Sequence, residues 1–339
     1  MRNSVTYCCN NKTKYLYIAG VAFVLFSAAL GLMLGSTPLS CGEIADAFRY
    51  GFQHSAGTRI FAYVRLPRTL ASLSCGAALA VSGAVIQNVL ANRLASPSII
   101  GVNAGAGLAV TLCAALGILG GWQLSAFSFL GAFAAVMLVN LGAKRWGASR
   151  STVILIGVAM NSLLGAISDT VTTLIPETGI MSNDFKIGEF SSVTYQTLLP
   201  ALVVTILVIV FLRTLHNELD VLTLGDESAK SLGVNTALMR TLFLLFAALL
   251  AGCAVSLAGL LSFVGLLVPH AVRRVSGSKA SDLIGLCGLY GSGFVCLCDI
   301  VARTAFAPYE IPVGIIMAYL GAPFFIFLLI KGKGGRSRD

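Results

Sequence analysis

Long apolar stretches separated by short polar interruptions run the length of the chain. Charge-free segments cover 15–42, 69–92, 94–143, 151–168, 190–212, 241–272, 283–298 and 311–330. None alternates apolar and polar residues as barrel strands do. A spanning helix needs about 20 apolar residues, so every segment predicts membrane helix. The 94–143 segment is too long for one helix, and Gly120-Gly121-Trp122 supplies a turn that divides it. Asp169 interrupts an apolar sequence that continues to Ile175, so that helix extends past it. The 241–272 segment has Lys230 and Arg240 before it, and Arg273, Arg274 and Lys279 after it. Entering and returning within it gives about 48 Å of helix, against about 60 Å for two full crossings. One full helix and a shorter returning one, turning near 256–259 and containing Pro269, meet that constraint. The pattern predicts an all-α polytopic membrane protein forming one transmembrane domain over 1–339. Its ten helices fall at about 15–35, 65–90, 96–119, 122–143, 151–175, 196–215, 238–256, 259–275, 281–304 and 311–330.

Composition narrows the class. Of 339 residues, 57% are hydrophobic and 11% charged, too few charges to cover a water-soluble core. Soluble enzymes, secreted disulfide scaffolds and disordered regulators are excluded. Charge then orients the chain. Of the 23 Lys and Arg, six fall outside under this topology (Arg49, Arg59, Arg65, Arg68, Lys186 and Arg303), leaving seventeen inside. That asymmetry obeys the positive-inside rule and places both termini in the cytoplasm. It also accounts for the net charge of +9 without nucleic acid. The N-terminal charges before an apolar run resemble a signal peptide, but no small-x-small cleavage site follows, so the run reads as an uncleaved first helix. The nine cysteines form no CxxC pair and lie mostly in apolar runs, as buried small hydrophobes do.

Candidate chemistry is sparse. HExxH, GxSxG and Walker A signatures are absent, and His54, His216 and His270 are dispersed. No catalytic residue, metal site or bound cofactor is expected, and the chain is not an enzyme. Any energy it uses must come from an ion gradient or a partner. Asp169 and Asp299 each lie about 27 Å along their helices from the cytoplasmic start, near the outer face, so no midplane proton or sodium relay is evident. On that outer side Arg65 and Arg68 bracket Leu66-Pro67, and Arg303 ends the ninth helix. They read either as a docking surface for an acidic partner or as interfacial snorkelling residues. A polar external segment covers about 36–64. An internal one covers about 214–239, where Leu222, Leu224, Ala229 and Leu232 could form an apolar face between Gly225 and Gly233. This second segment reads as a surface helix pair for a partner or as a solvated loop.

The chain resembles the FecCD-type permeases of ABC importers for iron-siderophores, haem and vitamin B12. The matching segments are Arg65-Leu66-Pro67-Arg68; Gly76 to Gln87 (GAALAVSGAVIQ); Leu94 to Pro97 followed by Gly101 to Gly105; Leu224 to Gly233 (LGDESAKSLG); Leu257 to His270 (LAGLLSFVGLLVPH); Asp299 to Arg303; and Glu310 to Gly314 with Gly321 to Phe324. They extend in order over about 15–331. The resemblance implies a type II importer permease in the bacterial cytoplasmic (inner) membrane. A second permease subunit, identical or related, surrounds the pathway with it. Two ATPase subunits hold the ATP and magnesium, and an extracytoplasmic binding protein delivers the cargo. By position, Arg65, Arg68 and Arg303 match residues that meet acidic groups on the binding protein. Segment 219–240 matches the ATPase-coupling helices, with Leu224, Gly225, Asp226, Glu227, Ser228, Ala229 and Gly233 as its motif. Asn92, Arg93, Ser149, Arg150, Ser151 and Thr152 fall at the cytoplasmic gate. The alternative function is a gradient-driven secondary transporter of a small solute.

Two departures stand out. Asn92-Arg93-Leu94-Ala95 replaces the usual Asn-Pro-Leu-Ala, setting a cation beside the gate. Phe185-Lys186-Ile187-Gly188 replaces Trp-x-x-Gly. The apolar, small-residue walls carry no signature of which chelate is moved.

Overall fold

A computed structural model describes residues 2–37, 39–145 and 149–333, so Arg336 and Arg338 of the basic tally lie outside the described residues. The described residues form fifteen α-helices: α1 (Arg2–Met33), α2 (Cys41–Tyr50), α3 (Ala56–Ile60), α4 (Leu66–Val89), α5 (Val102–Ala115), α6 (Gly121–Arg145), α7 (Arg150–Leu174), α8 (Thr178–Ile187), α9 (Tyr195–Thr214), α10 (His216–Thr223), α11 (Asp226–Ser231), α12 (Thr236–Ala258), α13 (Val264–Ser276), α14 (Ala280–Thr304) and α15 (Val313–Lys333). Among them seven spans are long and apolar enough to cross a membrane, and α5 and the described part of α15 are apolar but shorter.

The core helix is α4. In its most apolar window 83% of residues are buried, against 17% for α1 and 22% for α7. Small residues explain why. Helices in lipid gain little from apolar contact alone, so close backbone approach supplies the attraction. A Cβ on Gly76 would collide with the Gly291 carbonyl of α14, and one on Gly83 with the Gly265 carbonyl of α13. Those glycines of the GAALAVSG motif therefore act in packing. Polar side chains on α4 close their hydrogen bonds across helices: Ser82 Oγ donates to the Ala247 carbonyl at 2.7 Å and Cys75 Sγ to the Ala254 carbonyl at 3.4 Å. Six cysteines with described side chains are free and buried.

The helices differ from the sequence expectation where backbone chemistry intervenes. The second helix begins nine residues earlier than its predicted start at 65, because α3 continues through a π-helical turn, Phe61–Arg65, into α4. Ser55 starts it with a capping box to Thr58. The helix predicted at 96–119 is broken. Pro97 opens a 3-10 turn, Pro97–Ile100, and Gly101 at φ 95° separates it from α5. The helix predicted from 259 starts at Val264, after a non-helical stretch held open by Gly259 at φ 68° and Phe263 at φ 65°. No element was expected where α8 lies. Its end seats that stretch: the Leu260 N–H donates to the Phe185 carbonyl at 3.0 Å, and Glu189 N–H to the Ala258 carbonyl at 2.8 Å. Irregular backbone at membrane depth persists only where protein or a water-filled cavity satisfies it.

Candidate functional site

Two clusters contain the predicted site residues other than Asn92 and Arg93, one beyond the α1 C-terminus and one at the start of α7. The first gathers Arg65, Arg68 and Arg303, yet it does not present them to solvent. Their exposures are 2%, 7% and 2%, and Asp299 between them is fully buried. A buried carboxylate and a helix end with orphaned carbonyls draw the cations inward. Arg68 Nε and Nη2 donate to Asp299 Oδ1 at 3.0 and 2.9 Å, and Nη1 donates to Glu310 Oε2 at 2.6 Å. Arg303 Nε stands 3.4 Å from Asp299 Oδ2, and its Nη2 donates to the Gly31 carbonyl at 2.8 Å. Arg65 donates to the carbonyls of Leu32, Met33 and Thr37. Partial burial pushes the Glu310 carboxyl up, but the Arg68 hydrogen bond and nearby cations outweigh it and hold the group below its ordinary range. The result ties the end of α1 to α4, α14 and the segment before α15. Glu310, one of the resemblance-bearing residues, was not assigned a partner from sequence. Arg49 and Arg59 are the exposed basic groups in this part of the chain.

The second cluster joins the coupling segment to the gate turn. Gly225, at φ 105°, breaks the chain between α10 and α11, and Gly233 at φ 81° ends the pair. Asp226 is the hub. Arg240 Nη2 donates to its Oδ1 and Oδ2 at 2.7 and 2.8 Å, and Arg150 Nη2 stands 3.7 Å from Oδ1. The same Arg150 nitrogen donates to the Leu222 carbonyl at 2.6 Å. The hydrogen bonds from Arg240, with Arg150 and Lys230 nearby, hold the Asp226 carboxyl below its ordinary range despite partial burial. Ser149 caps α7, its Oγ accepting from the Thr152 N–H at 3.1 Å and sharing a 2.7 Å hydrogen bond with the Thr152 hydroxyl. Ala229 is buried against the bundle, while Glu227, Ser228 and Gly233 are exposed. Leu224 and Leu232 are both 62% exposed. Ser151 is exposed on the first turn of α7.

Asn92 and Arg93 stand apart from that turn, with no contact to residues 149–152 among the described hydrogen bonds and ion pairs. Asn92 Oδ1 accepts from the Leu94 N–H at 2.9 Å, closing the turn that leaves α4. Exposed Arg93 lies within electrostatic reach of His270 and Arg273. Sequence reasoning missed the clamp beneath it. Arg273 donates to the Gln87 side-chain carbonyl and to Asn88 Oδ1 at 2.9 Å, while Gln87 Nε2 donates to the Gly265 carbonyl at 2.9 Å. Gln87 closing the GAALAVSGAVIQ motif was the available signal.

No group of three or more potential metal ligands occurs among the described residues.

Comparison with known proteins identifies the lineage. The model of the FecCD transport family matches residues 23–331. The Fe(3+)-citrate import system permease protein YfmD of Bacillus subtilis (strain 168) is 35% identical over 322 residues, covering 94% of this chain and 95% of that protein. The vitamin B12 import system permease protein BtuC of Yersinia pestis is 33% identical over 326 residues, covering 94% of each. A solved chain described as a metal-chelate-type ABC transporter in an inward-facing conformation superimposes with a TM-score of 0.83 at 29% identity, over 94% of this chain and 99% of that one. A broken-helix bundle whose central glycines, Arg68–Asp299 pair and Asp226 hub sit on the matched segments thus has its relatives: the chain belongs to the FecCD transport family.

Proposed function

We propose that this chain is the permease subunit of an ATP-binding-cassette importer that moves a metal chelate or cobalamin into the cytoplasm. It works as a pair with a second permease, and ATP with magnesium is held by two partner ATPases. It crosses the bacterial cytoplasmic (inner) membrane ten times, α5, α13 and α15 supplying the shorter crossings, with both termini inside. Iron chelates and cobalamin are the cargo classes, by likeness to the Fe(3+)-citrate and vitamin B12 permeases.

The observation that carries this reading is the Arg150 junction. One guanidinium touches Leu222 of α10 and approaches Asp226 of α11 while standing on the first turn of α7. A push on the exposed leucines Leu224 and Leu232 is therefore passed to a membrane helix within one side chain. In this scheme Leu224 to Gly233 couple to the ATPase, and Ser149 to Thr152 gate the pathway. Asn92 and Arg93 form a second gate element seated on the Arg273 clamp. Arg65, Arg68 and Arg303 serve binding-protein docking by fixing the shape of the outer cap, which exposes Arg49 and Arg59.

The test is co-purification. Leu224→Asp with Leu232→Asp abolishes recovery of the partner ATPase with the permease, while binding-protein capture persists. Retention of the ATPase by the double variant overturns the coupling surface.

A further inference from the structure

A groove of about 320 Å³ runs between α1 and α13, with α14 as its floor. Close packing of α1 on α14 sets one wall. A Cβ on Gly293 of α14 would strike the Phe23 ring, and the Tyr290 hydroxyl donates to the Leu16 carbonyl at 3.1 Å. Leu16 and Phe23 then line the groove opposite Leu267, Ala271 and Val275 of α13. The lining contains no charged residue and two side-chain hydroxyls, both already spent. Tyr290 uses its own on Leu16, and Ser276 donates to the Val272 carbonyl at 3.0 Å. The groove therefore has nothing to offer a polar ligand, and it suits an apolar chain.

Its surroundings and dimensions say which chain. α1 is a peripheral helix that exposes Ile18, Val21, Leu25 and Phe26. From Ser276 to Leu267 the groove follows α13 for about 14 Å. One leaflet of hydrocarbon, half of a core of about 30 Å, has about that depth. Lipid tails are as apolar as leucine, so the groove alone holds any tail and selects none. Selection falls to the headgroup.

At the cytoplasmic end each wall finishes in a cation. Lys12 precedes Leu16 by four residues and Phe23 by eleven, while Arg274 follows Leu267 by seven and Ala271 by three. Those intervals set each cation on the helix face that forms its wall. Both are exposed, and neither forms an ion pair among the described residues, unlike Arg68, Arg150, Arg240 and Arg303. Basic groups over a cleft between membrane helices on the cytoplasmic side attract anionic headgroups. We propose that this groove seats an acyl chain of one anionic phospholipid from the cytoplasmic leaflet, with Lys12 and Arg274 on its phosphate. The bound lipid braces α13, the helix of the Arg273 clamp, against α1. The inference goes beyond the importer reading and uses only the membrane orientation proposed with it.

The test is native mass spectrometry of the delipidated permease–ATPase complex, given phosphatidylglycerol or phosphatidylethanolamine with matched chains. Wild type retains phosphatidylglycerol at one per permease and at least tenfold better than phosphatidylethanolamine. Lys12→Gln with Arg274→Gln abolishes that preference, and Lys12→Arg with Arg274→Lys keeps it. Ala271→Trp, which fills the groove, lowers phosphatidylglycerol retention at least tenfold in an intact complex. Equal retention of the two lipids by wild type overturns the proposal, as does undiminished retention in Ala271→Trp or in the double glutamine variant. Displacement of the lipid by glycerol 3-phosphate, which has no chains, overturns the role of the groove. Loss of permease pairing in Ala271→Trp also overturns it, making the groove a subunit interface. Orientation is read separately, by an impermeant maleimide on Ser278→Cys in intact cells. Labelling above the wild-type background overturns the proposed orientation and the leaflet with it, whatever the retention ratios.

Discussion

Arg68 and Asp299, 231 residues apart in the chain, meet in a bidentate pair whose Nη2–Oδ1 distance is 2.9 Å. Asp299 faces Arg303 as well, so this buried carboxylate stands between two cations, while Glu310 is a second partner of Arg68. Breaking a buried pair leaves an uncompensated charge, at a cost of about 3–5 kcal/mol. Asp299→Ala should therefore lower the thermal unfolding midpoint of the purified permease sharply. Arg68→Met combined with Asp299→Leu should lose much less than the two single changes together. Additive losses in that cycle would show that the two side chains are not coupled.

A second expectation concerns transmission. Arg150→Met removes both the Leu222 hydrogen bond and the approach to Asp226. Uptake should fall at least tenfold while ATP hydrolysis by the assembled complex continues. Gly225→Ala should act in the same direction, since φ 105° with ψ 160° is a conformation essentially restricted to glycine, at a cost of about 1–3 kcal/mol. Normal uptake in Arg150→Met would remove the junction from the mechanism.

The same hub sets a pH dependence. Its hydrogen bonds from Arg240 depress the Asp226 carboxyl in the folded state. Stability from a depressed carboxylate is fully present above its unfolded value of about 3.9 and is lost as pH falls through the lower folded value. The difference in unfolding midpoint between wild type and Asp226→Asn should stay constant from neutral pH down to about 5 and close below about 4. A gap that widens on acidification would contradict the assignment.

Packing gives a fourth expectation. Gly83→Leu would drive a side chain into the Gly265 backbone, at the edge of the α12–α13 break. The variant should express poorly or unfold well below wild type, whereas Gly165→Ala, where a Cβ meets nothing within 4 Å, should not. Thermal stability measured on both variants side by side checks the contrast.

Much of the scaffold was readable because membrane helices declare themselves by length and lack of charge. Asp299 with Arg303 was readable too, since four residues on a helix make a neighbour pair. Arg68 with Asp299 and Glu310 was not, because no local periodicity relates residues more than two hundred positions apart. Counting charge per side set those arginines on the outer side, but it could not show that they fold onto Asp299 and the end of α1. The broken helices near 97–101 and 259–263 were half visible. A turn near 256–259 was expected, but only α8, whose Phe185 carbonyl accepts from the Leu260 N–H, shows why the chain stays unwound there; the break at 97–101 was not foreseen.

The central claim is that transport through this chain is driven by a partner ATPase and not by an ion gradient. It is tested most directly by uptake of radiolabelled ferric citrate or vitamin B12 into proteoliposomes containing permease, ATPase and binding protein. Uptake should require enclosed ATP and magnesium, stop when the ATPase is left out, and persist with a protonophore. Uptake that continues without the ATPase and collapses with the proton gradient would contradict it.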